Sequence, residues 1–204
     1  EGVMMSDTRI PSQKRSIEKR NRIIEKGFEL MCEKGFYNTN TAEIAEYACV
    51  STGIIYQYFN DKKDIFIEGV KNYSNSIMKS MVDIIDKKMI STNNLENLFS
   101  LVIDKYVESH TISKRAHEEL IAMGHLDKDV GNIFRNLEIN VTNYIVDMLN
   151  NSNIVLDNVK EKVHIIIGII DNLCHETVYH KHNEIDYDVM KREVIKIIIT
   201  IIKE

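Results

Sequence analysis

The chain has 204 residues, 44% of them hydrophobic and 28% charged, so it can bury a core and is too apolar to be disordered. Its net charge of −5 excludes a uniformly basic nucleic-acid binder, and its three cysteines form no C-x-x-C pair, so a disulfide framework and a cysteine zinc site are not indicated. Because Pro11 is the only proline, long helices can form, and we predict an all-α protein.

The sequence also indicates the cellular compartment in which the chain is expected. The longest apolar runs, 165–170 and 197–202, fall far short of the ~20 residues that span a bilayer, so we expect no membrane helix. The first residues lack the basic-then-apolar pattern of a signal peptide. With the unpaired cysteines, this favours a reducing, cytoplasmic location.

The first predicted helix carries much of the positive charge. It can begin at Ser12 or Ser16 and end at Lys34-Gly35. Residues 9–26 include seven basic and two acidic residues, whereas the chain from residue 66 onward includes 16 basic and 21 acidic residues. This asymmetry favours a polyanion contact near the N-terminus, although a solvated helix face is an alternative explanation.

Two short helices are predicted next. One begins at Thr41, whose hydroxyl suits an N-cap, and the other runs from a Ser51 cap to about Phe59. The small side chain of Ala45 is placed where the two helices cross, and aliphatic residues fill the space between them. This pattern has the spacing of a helix-turn-helix.

Longer helices fill the remainder of the chain. A fourth helix is predicted from about Asp64 towards Met89. One asparagine-rich loop is predicted after this helix and another after residue 149. Five more helices are predicted at about 95–109, 113–124, 129–149, 157–181 and 187–203, giving about nine in all.

The last two predicted helices are apolar on nearly every side. Such helices must be buried on nearly every side, and a second copy of the chain is one way to cover them. The alternative is a core formed within one chain. The candidate dimer-interface residues are Val163, Ile166, Ile167, Ile170, Val194, Ile198 and Ile201.

The third predicted helix presents a polar and aromatic surface suited to a DNA major groove. Hydroxyl and amide groups can contact phosphates and base edges, phenol rings can contact thymine methyls, and glycine allows close approach of the backbone. The alternative is that its tyrosines belong to the core. The residues on this surface are Ser51, Thr52, Gly53, Tyr56, Gln57 and Tyr58, and Lys62 or Lys63 can add a phosphate contact.

The stretch TAEIAEYACVSTGIIYQYFNDKKDIF resembles the DNA-binding signature of TetR-family transcriptional regulators. It has a Thr-x-x-Ile-Ala opening, a Val-Ser-x-Gly junction, an aliphatic-Tyr-x-Tyr-Phe recognition helix and a Lys-Lys-x-Ile-Phe entry to the next helix. The preceding IIEKGFELMCEKGFYNTN resembles the first helix and Gly-Phe/Tyr corner of that family. Together the resemblance covers about residues 16–66.

The resemblance implies a helix-turn-helix DNA-binding domain with an N-terminal arm in residues 1–63, and a ligand-binding and dimerisation domain in residues 64–204. It implies a homodimeric repressor that binds double-stranded DNA at a palindromic operator and is released by a small hydrophobic effector. Thr41 and Lys62 would contact phosphates, and the third helix would read bases. One departure is Cys49, where the family often has glycine, because a non-glycine residue is strained if φ is positive there.

Other chemistry is less well supported. We predict no catalytic residue, metal site or cofactor, since HETVY at 175–179 misses the H-E-x-x-H motif by one position. A metal-dependent hydrolase built around His175, a sensory metal site with Glu176, His180 or His182, and a constitutive or protein-responsive DNA binder remain alternatives. The candidate ligand-binding residues, which can equally be plain core, are Phe99, Tyr106, His110, Met123, Phe134, Tyr144 and Met148.

Overall fold

The computed structural model describes residues 14–88, 95–110, 112–151 and 156–203. Within these ranges the chain forms nine α-helices and no strand, which confirms the predicted all-α fold. The helices are α1 (Lys14–Lys34), α2 (Thr41–Tyr47), α3 (Thr52–Tyr58), α4 (Lys62–Lys88), α5 (Leu95–Ser109), α6 (Lys114–Leu126), α7 (Lys128–Asn150), α8 (Val159–Tyr179) and α9 (Tyr187–Lys203). Pro11, Ser12 and Met89, which the sequence analysis named, lie outside the described residues.

The helices form two compact units. The first contains the chain up to Tyr73 together with Ser113–Ile133, and the second contains Ser74–Ile112 together with Phe134–Glu204. The helix-turn-helix is thus packed in one unit with α6, a helix that follows α5 in the chain. A functional division at residues 63 and 64 stays a prediction.

The first unit has a core to which α1–α4, α6 and the corner that follows α1 contribute buried side chains. Apolar spacing along α1 buries Ile23, Ile24 and Met31, as the helical periodicity predicts. Among the core side chains from the other elements are Phe36, Ile44, Ile55, Ile65, Phe66 and Val70. Gly35 ends α1 with a positive φ of 101°, which glycine adopts without strain.

Two glycines let α1 pack closely in this unit. A Cβ on Gly27 would lie 2.7 Å from Ile65 and 3.0 Å from Ile44, and a Cβ on Gly69 would lie 2.4 Å from the Phe28 ring. These distances are shorter than side-chain contacts allow, so both positions require glycine for close helix packing.

Polar contacts join α6 and the residues after it to the other elements of the first unit. Glu119 accepts a hydrogen bond from the Phe36 backbone N–H at 2.6 Å, and Ser113, the N-cap of α6, donates one to Glu33 at 2.7 Å. Lys63 pairs with Asp127 at 2.8 Å and with Asp129 at 2.6 Å, and the hydrogen bonds that its ammonium donates to these carboxylates raise the Lys63 pKa. These contacts link residues more than sixty positions apart, which helical periodicity alone cannot predict.

The second unit has a core formed by α5, α8 and α9. Its buried members are Leu98, Val102, Ile103, Ile170, Leu173, Cys174, Val194, Ile195 and Ile198. Among the described residues, no helix is long and apolar enough to cross a membrane.

The predicted dimer-interface residues divide into two groups. Val163, Ile170, Val194 and Ile198 are buried within the chain itself, so covering these four side chains does not require a second copy. Ile166, Ile167 and Ile201 are half-buried. The most exposed aliphatic side chains on α8 and α9 are instead Ile165 and Ile197, at 52% and 50% exposure.

Candidate nucleic-acid interface

Helix α2 is capped by Asn40, so the prediction that Thr41 is the N-cap is wrong. The Asn40 side chain accepts a hydrogen bond from the Glu43 backbone N–H at 3.0 Å, and the Glu43 side chain accepts one from the Asn40 backbone N–H at 3.0 Å. This reciprocal capping box satisfies two donors that a serine-like cap alone would leave unpaired. Thr41 becomes the first helical residue and is half-buried.

The turn between α2 and α3 passes through Cys49, whose φ is 52°. The sequence analysis anticipated strain at this position, and the positive φ agrees with it. The Val50 backbone N–H donates to the Ala45 carbonyl at 2.9 Å, which closes the turn over the helix crossing. Cys49 is therefore a β-carbon-bearing residue in a conformation that favours glycine.

Cys49→Gly is expected to stabilise the chain by about 0.5–1 kcal/mol. Relief of the left-handed strain, roughly 1–2 kcal/mol, exceeds the added backbone entropy that glycine gives the unfolded chain, roughly 0.4–1 kcal/mol. Urea unfolding measures the difference. Cys49→Ala is the matched control, because it removes the thiol but keeps the Cβ, and an equal gain for both variants would contradict the explanation.

Helix α3 carries an exposed face of four predicted contact residues. Ser51, Gly53, Tyr56 and Gln57 are exposed, and Thr52 beside them is half-buried. Ser51 holds the N-cap position, but no side-chain hydrogen bond caps the helix. A Cβ on Gly53 would have no neighbouring atom within 4 Å, so nothing in the chain itself crowds this backbone. The α3 face therefore offers a hydroxyl, an amide, a phenol and an uncrowded backbone to a ligand outside the chain.

Tyr58 lies on the opposite, buried side of α3. It is only 9% exposed, and its ring packs edge-on against Phe59 with centroids 6.5 Å apart. Tyr56, two positions earlier, is 53% exposed. The alternative explanation from the sequence, a core tyrosine, thus describes Tyr58, and we leave Tyr58 out of the α3 face.

The Lys62 ammonium bonds to the corner between α1 and α2. Its ammonium donates hydrogen bonds to the carbonyls of Phe36 and Thr39, both at 2.7 Å, and lies 4.6 Å from the centre of the Phe36 ring. An ammonium has three donors, so one direction is left for a phosphate. The predicted phosphate contact stays a prediction, and the observed contacts make Lys62 an anchor of the corner.

Several charges of the basic α1 segment are already paired. Arg20 bonds to Glu68 at 3.0 Å and lies 5.1 Å from the centre of the Phe59 ring, and Lys26 bonds to Glu29 at 2.8 Å. Lys14, Arg15 and Arg22 are exposed on the same helix. Part of the basic segment therefore joins helices within the first unit, and these exposed residues carry the surface charge.

The sequence analysis did not single out two exposed tyrosines near the helix-turn-helix. Tyr37, in the corner before α2, is 69% exposed, and Tyr47 at the end of α2 is 44% exposed. The hydroxyl of Tyr47 donates to Glu29 at 2.9 Å, whereas Tyr37 packs edge-on against Phe36. An aromatic residue two positions after a turn glycine was the available signal for Tyr37.

The predicted ligand-binding residues do not all lie in one unit. Met123 is buried at 1% exposure on α6, in the first unit, whereas the other six belong to the second unit. Of those, Phe99, Tyr106 and Met148 pack partly buried against the core, and Tyr144 is 38% exposed.

One region of the chain, which contains the helix-turn-helix, matches a known protein family. The family model for bacterial regulatory proteins of the tetR family matches residues 23–68, a range that begins in α1, includes α2 and α3, and ends in α4. Residues 23–68 thus carry a helix-turn-helix region of the TetR type. The matched family consists of bacterial regulatory proteins, so the match favours a regulator over the hydrolase alternative.

Two curated proteins are similar to part of the chain. The HTH-type transcriptional regulator HbdR of Aromatoleum sp. (strain CIB) is 49% identical over 55 residues, which cover 27% of this chain and 24% of HbdR. The fatty acid metabolism regulator protein of Bacillus subtilis (strain 168) is 32% identical over 85 residues, which cover 42% of each protein. The matched stretches thus span less than half the length of either relative.

The fold similarity extends over more of the chain. A TetR-family transcriptional regulator from Mesorhizobium loti MAFF303099 superposes with a TM-score of 0.75 at 16% identity, covering 94% of this chain and 98% of that one. At such low identity the likeness concerns the TetR fold and carries nothing about the effector.

Gly53→Ala is expected to weaken DNA binding without lowering the stability of the chain. The new methyl group meets no atom of the protein, so the free energy of unfolding should change by less than about 1 kcal/mol. If the α3 backbone approaches DNA, the methyl group should weaken operator binding about 10-fold. Fluorescence anisotropy with a labelled operator measures the affinity, and an unchanged affinity would show that this turn of α3 stays away from the duplex.

Proposed function

We propose that the chain is a homodimeric transcriptional repressor that binds a palindromic operator through the α3 face and leaves it when a small hydrophobic ligand binds the second unit. The observation that carries the proposal is the exposure of Ser51, Gly53, Tyr56 and Gln57 on one short helix of a TetR-type helix-turn-helix. A helix seated in the major groove needs such a set of donors, acceptors and an uncrowded backbone.

Titration with DNA tests the DNA-binding part of the proposal. Fragments of the DNA that flanks the gene are compared with random duplexes of equal length at two ionic strengths. We expect a flanking palindrome to bind about 10³-fold or more tightly than random DNA, because base contacts add to the salt-dependent phosphate contacts. Equal affinity for every duplex would contradict sequence-specific regulation.

Dimer formation is supported by exposed apolar residues on α8. Ile165 is 52% exposed on α8, and three positions later Gly168 has no side chain and would have no neighbour within 4 Å of a Cβ. A small residue beside an exposed aliphatic one lets a second helix approach closely. On α9, Ile197 offers a further exposed aliphatic side chain. In solution, a second copy of the chain would remove these surfaces from water.

Ile197→Glu is expected to convert the dimer to monomer. A charge in an apolar interface loses its hydration without gaining a partner, and the predicted cost of several kcal/mol exceeds what a modest interface supplies. Analytical ultracentrifugation measures the mass, and operator affinity should fall with it because two half-sites are no longer bound together. Lys196→Glu, at an exposed polar position beside it, is the control and should stay dimeric.

Release by an effector requires that the ligand prefer one conformation. It must bind better to a state in which the two α3 helices no longer match successive major grooves, about 34 Å apart. The half-buried residues Phe99, Tyr106 and Met148 in the second unit suit an apolar ligand. One relative is a fatty acid metabolism regulator, so acyl compounds are the first class to test, together with lipophilic cations and aromatics.

Thermal shift separates this proposal from a constitutive or protein-responsive DNA binder. A ligand at 100 times its dissociation constant adds about 2.7 kcal/mol of stability, which is readily measured. A compound that raises the melting temperature and also lowers operator affinity supports induction. If no member of the panel does either, the constitutive alternative is favoured.

A further inference from the structure

Three metal-ligating side chains meet in the second unit. His110, directly after α5, lies near Asp171 and His175 on α8, and one ligand atom from each residue lies within 4.8 Å of the others. The sequence analysis considered His175 with its neighbours in the chain, Glu176, His180 and His182. The structure instead brings it to a histidine 65 positions away.

We propose that His110, Asp171 and His175 bind a divalent transition metal ion of the zinc class. Two imidazole nitrogens and one carboxylate oxygen are a ligand set that Zn²⁺ accepts, and three protein ligands leave a fourth position open. Mg²⁺ and Ca²⁺ prefer all-oxygen sites, so they should not compete. The site does not depend on the proposed repressor function.

The spacing of two ligands already suits a tetrahedral ion. His175 Nδ1 lies 3.4 Å from Asp171 Oδ2. Ligands at about 2.0–2.1 Å from a tetrahedral Zn²⁺ are about 3.3 Å apart. Asp171 and His175 are four positions apart on α8, so both project from the same side of the helix. The third residue, His110, has a ligand atom within 4.8 Å of both.

Tyr106 holds two of the three ligands in place. Its carbonyl accepts a hydrogen bond from His110 Nδ1 at 2.7 Å, and since a carbonyl oxygen only accepts, the proton must be on Nδ1. The lone pair is therefore on Nε2, the nitrogen left for a metal. The Tyr106 hydroxyl donates to Asp171 Oδ1 at 2.5 Å. Support of metal ligands by such outer hydrogen bonds is a regular feature of metal sites in proteins.

The three proposed ligands differ in their exposure to solvent. His110 is 9% exposed, whereas the side chains of Asp171 and His175 are 41% and 28% exposed. The rings of His110 and His175 lie 5.3 Å apart, and the ring of Tyr179 lies 5.9 Å from that of His110. An ion can thus reach Asp171 and His175 from solvent, whereas His110 is buried beside the Tyr179 ring.

Metal titration of the full-length chain, without an affinity tag, tests the proposal. Co²⁺ is the spectroscopic probe and Zn²⁺ the competitor. We expect one Co²⁺ per chain, visible absorption bands of a tetrahedral ion, displacement by Zn²⁺, and no displacement by Mg²⁺ or Ca²⁺. His175→Gln and Asp171→Asn should each weaken binding by at least ~100-fold, and Tyr106→Phe by about 10–100-fold, as expected for an outer-shell partner.

His164→Gln is the matched control, because His164 lies on the same helix, 47% exposed, and bonds to Thr142 at 3.1 Å. It should bind metal like the wild type. Circular dichroism melts without metal establish that each variant is folded, and Asp171→Asn keeps the shape of the side chain if His175→Gln does not fold. Metal uptake that survives both His175→Gln and Asp171→Asn would overturn the proposal, and so would equal losses in His164→Gln.

Discussion

Tyr56→Ala is expected to weaken operator binding by about 10–100-fold while leaving the free energy of unfolding within about 0.5 kcal/mol of the wild type. Tyr56 is 53% exposed on α3, so little packing is lost when its ring is removed. In the proposed complex the ring contacts a phosphate or a thymine methyl, and a contact of this kind contributes roughly 1–3 kcal/mol.

The neighbouring Tyr58 provides the matched control. Its ring is buried, so Tyr58→Ala should lower the free energy of unfolding by about 3 kcal/mol. The two variants thus remove the same side chain from opposite sides of one helix. Anisotropy titration and urea unfolding of both give the comparison. If Tyr56→Ala loses the same affinity on random DNA as on the operator, Tyr56 contacts only the backbone of the duplex.

Gly69→Ala is expected to destabilise the first unit by at least ~3 kcal/mol. The added Cβ would lie 2.4 Å from two atoms of the Phe28 ring and 2.5 Å from its Cβ. Phe28 cannot move aside easily, because its ring packs against those of Phe66 and Tyr73, at 5.7 and 6.3 Å between centroids. Alanine favours helix by about 1 kcal/mol, which offsets only part of the cost of overpacking.

Urea unfolding measures the effect, with Gly53→Ala as the control. Gly53 is also helical, but its added methyl group meets no atom of the chain. Gly69→Ala should therefore lower the free energy of unfolding, whereas Gly53→Ala should lower the affinity for DNA. A Gly69→Ala variant as stable as the wild type would mean that α1 and α4 can move apart without cost.

The sequence predicted the helices well because their signals are local. Spacing of apolar residues, Gly35 after α1 and asparagine-rich loops each act within a few positions, and the helix bounds followed from them. The N-cap of α2 was misplaced by one residue because Thr41 and Asn40 are both good caps. Only the reciprocal bond with Glu43 decides between them.

Contacts between distant residues were not predictable in this way. Nothing in the spacing of α6 indicates that Glu119 accepts the Phe36 N–H, or that Lys63 pairs with Asp127 and Asp129. For the same reason, the sequence could not show which of Tyr56 and Tyr58 is exposed and which is buried. The two residues are 200° apart on the helix, and either side could face the core until the packing is known. His110 and His175 were each noted, but their meeting required the fold of the second unit.

The strained turn has a practical consequence for experiments. Cys49 is exposed, whereas Cys32 and Cys174 are buried, and burial raises the pKa of Cys32 to about 12 and raises that of Cys174 as well. Since the thiolate is the nucleophile, a maleimide dye should modify Cys49 alone in the native chain. That attaches a fluorophore three residues before the start of α3, where its emission can report each encounter with a duplex directly.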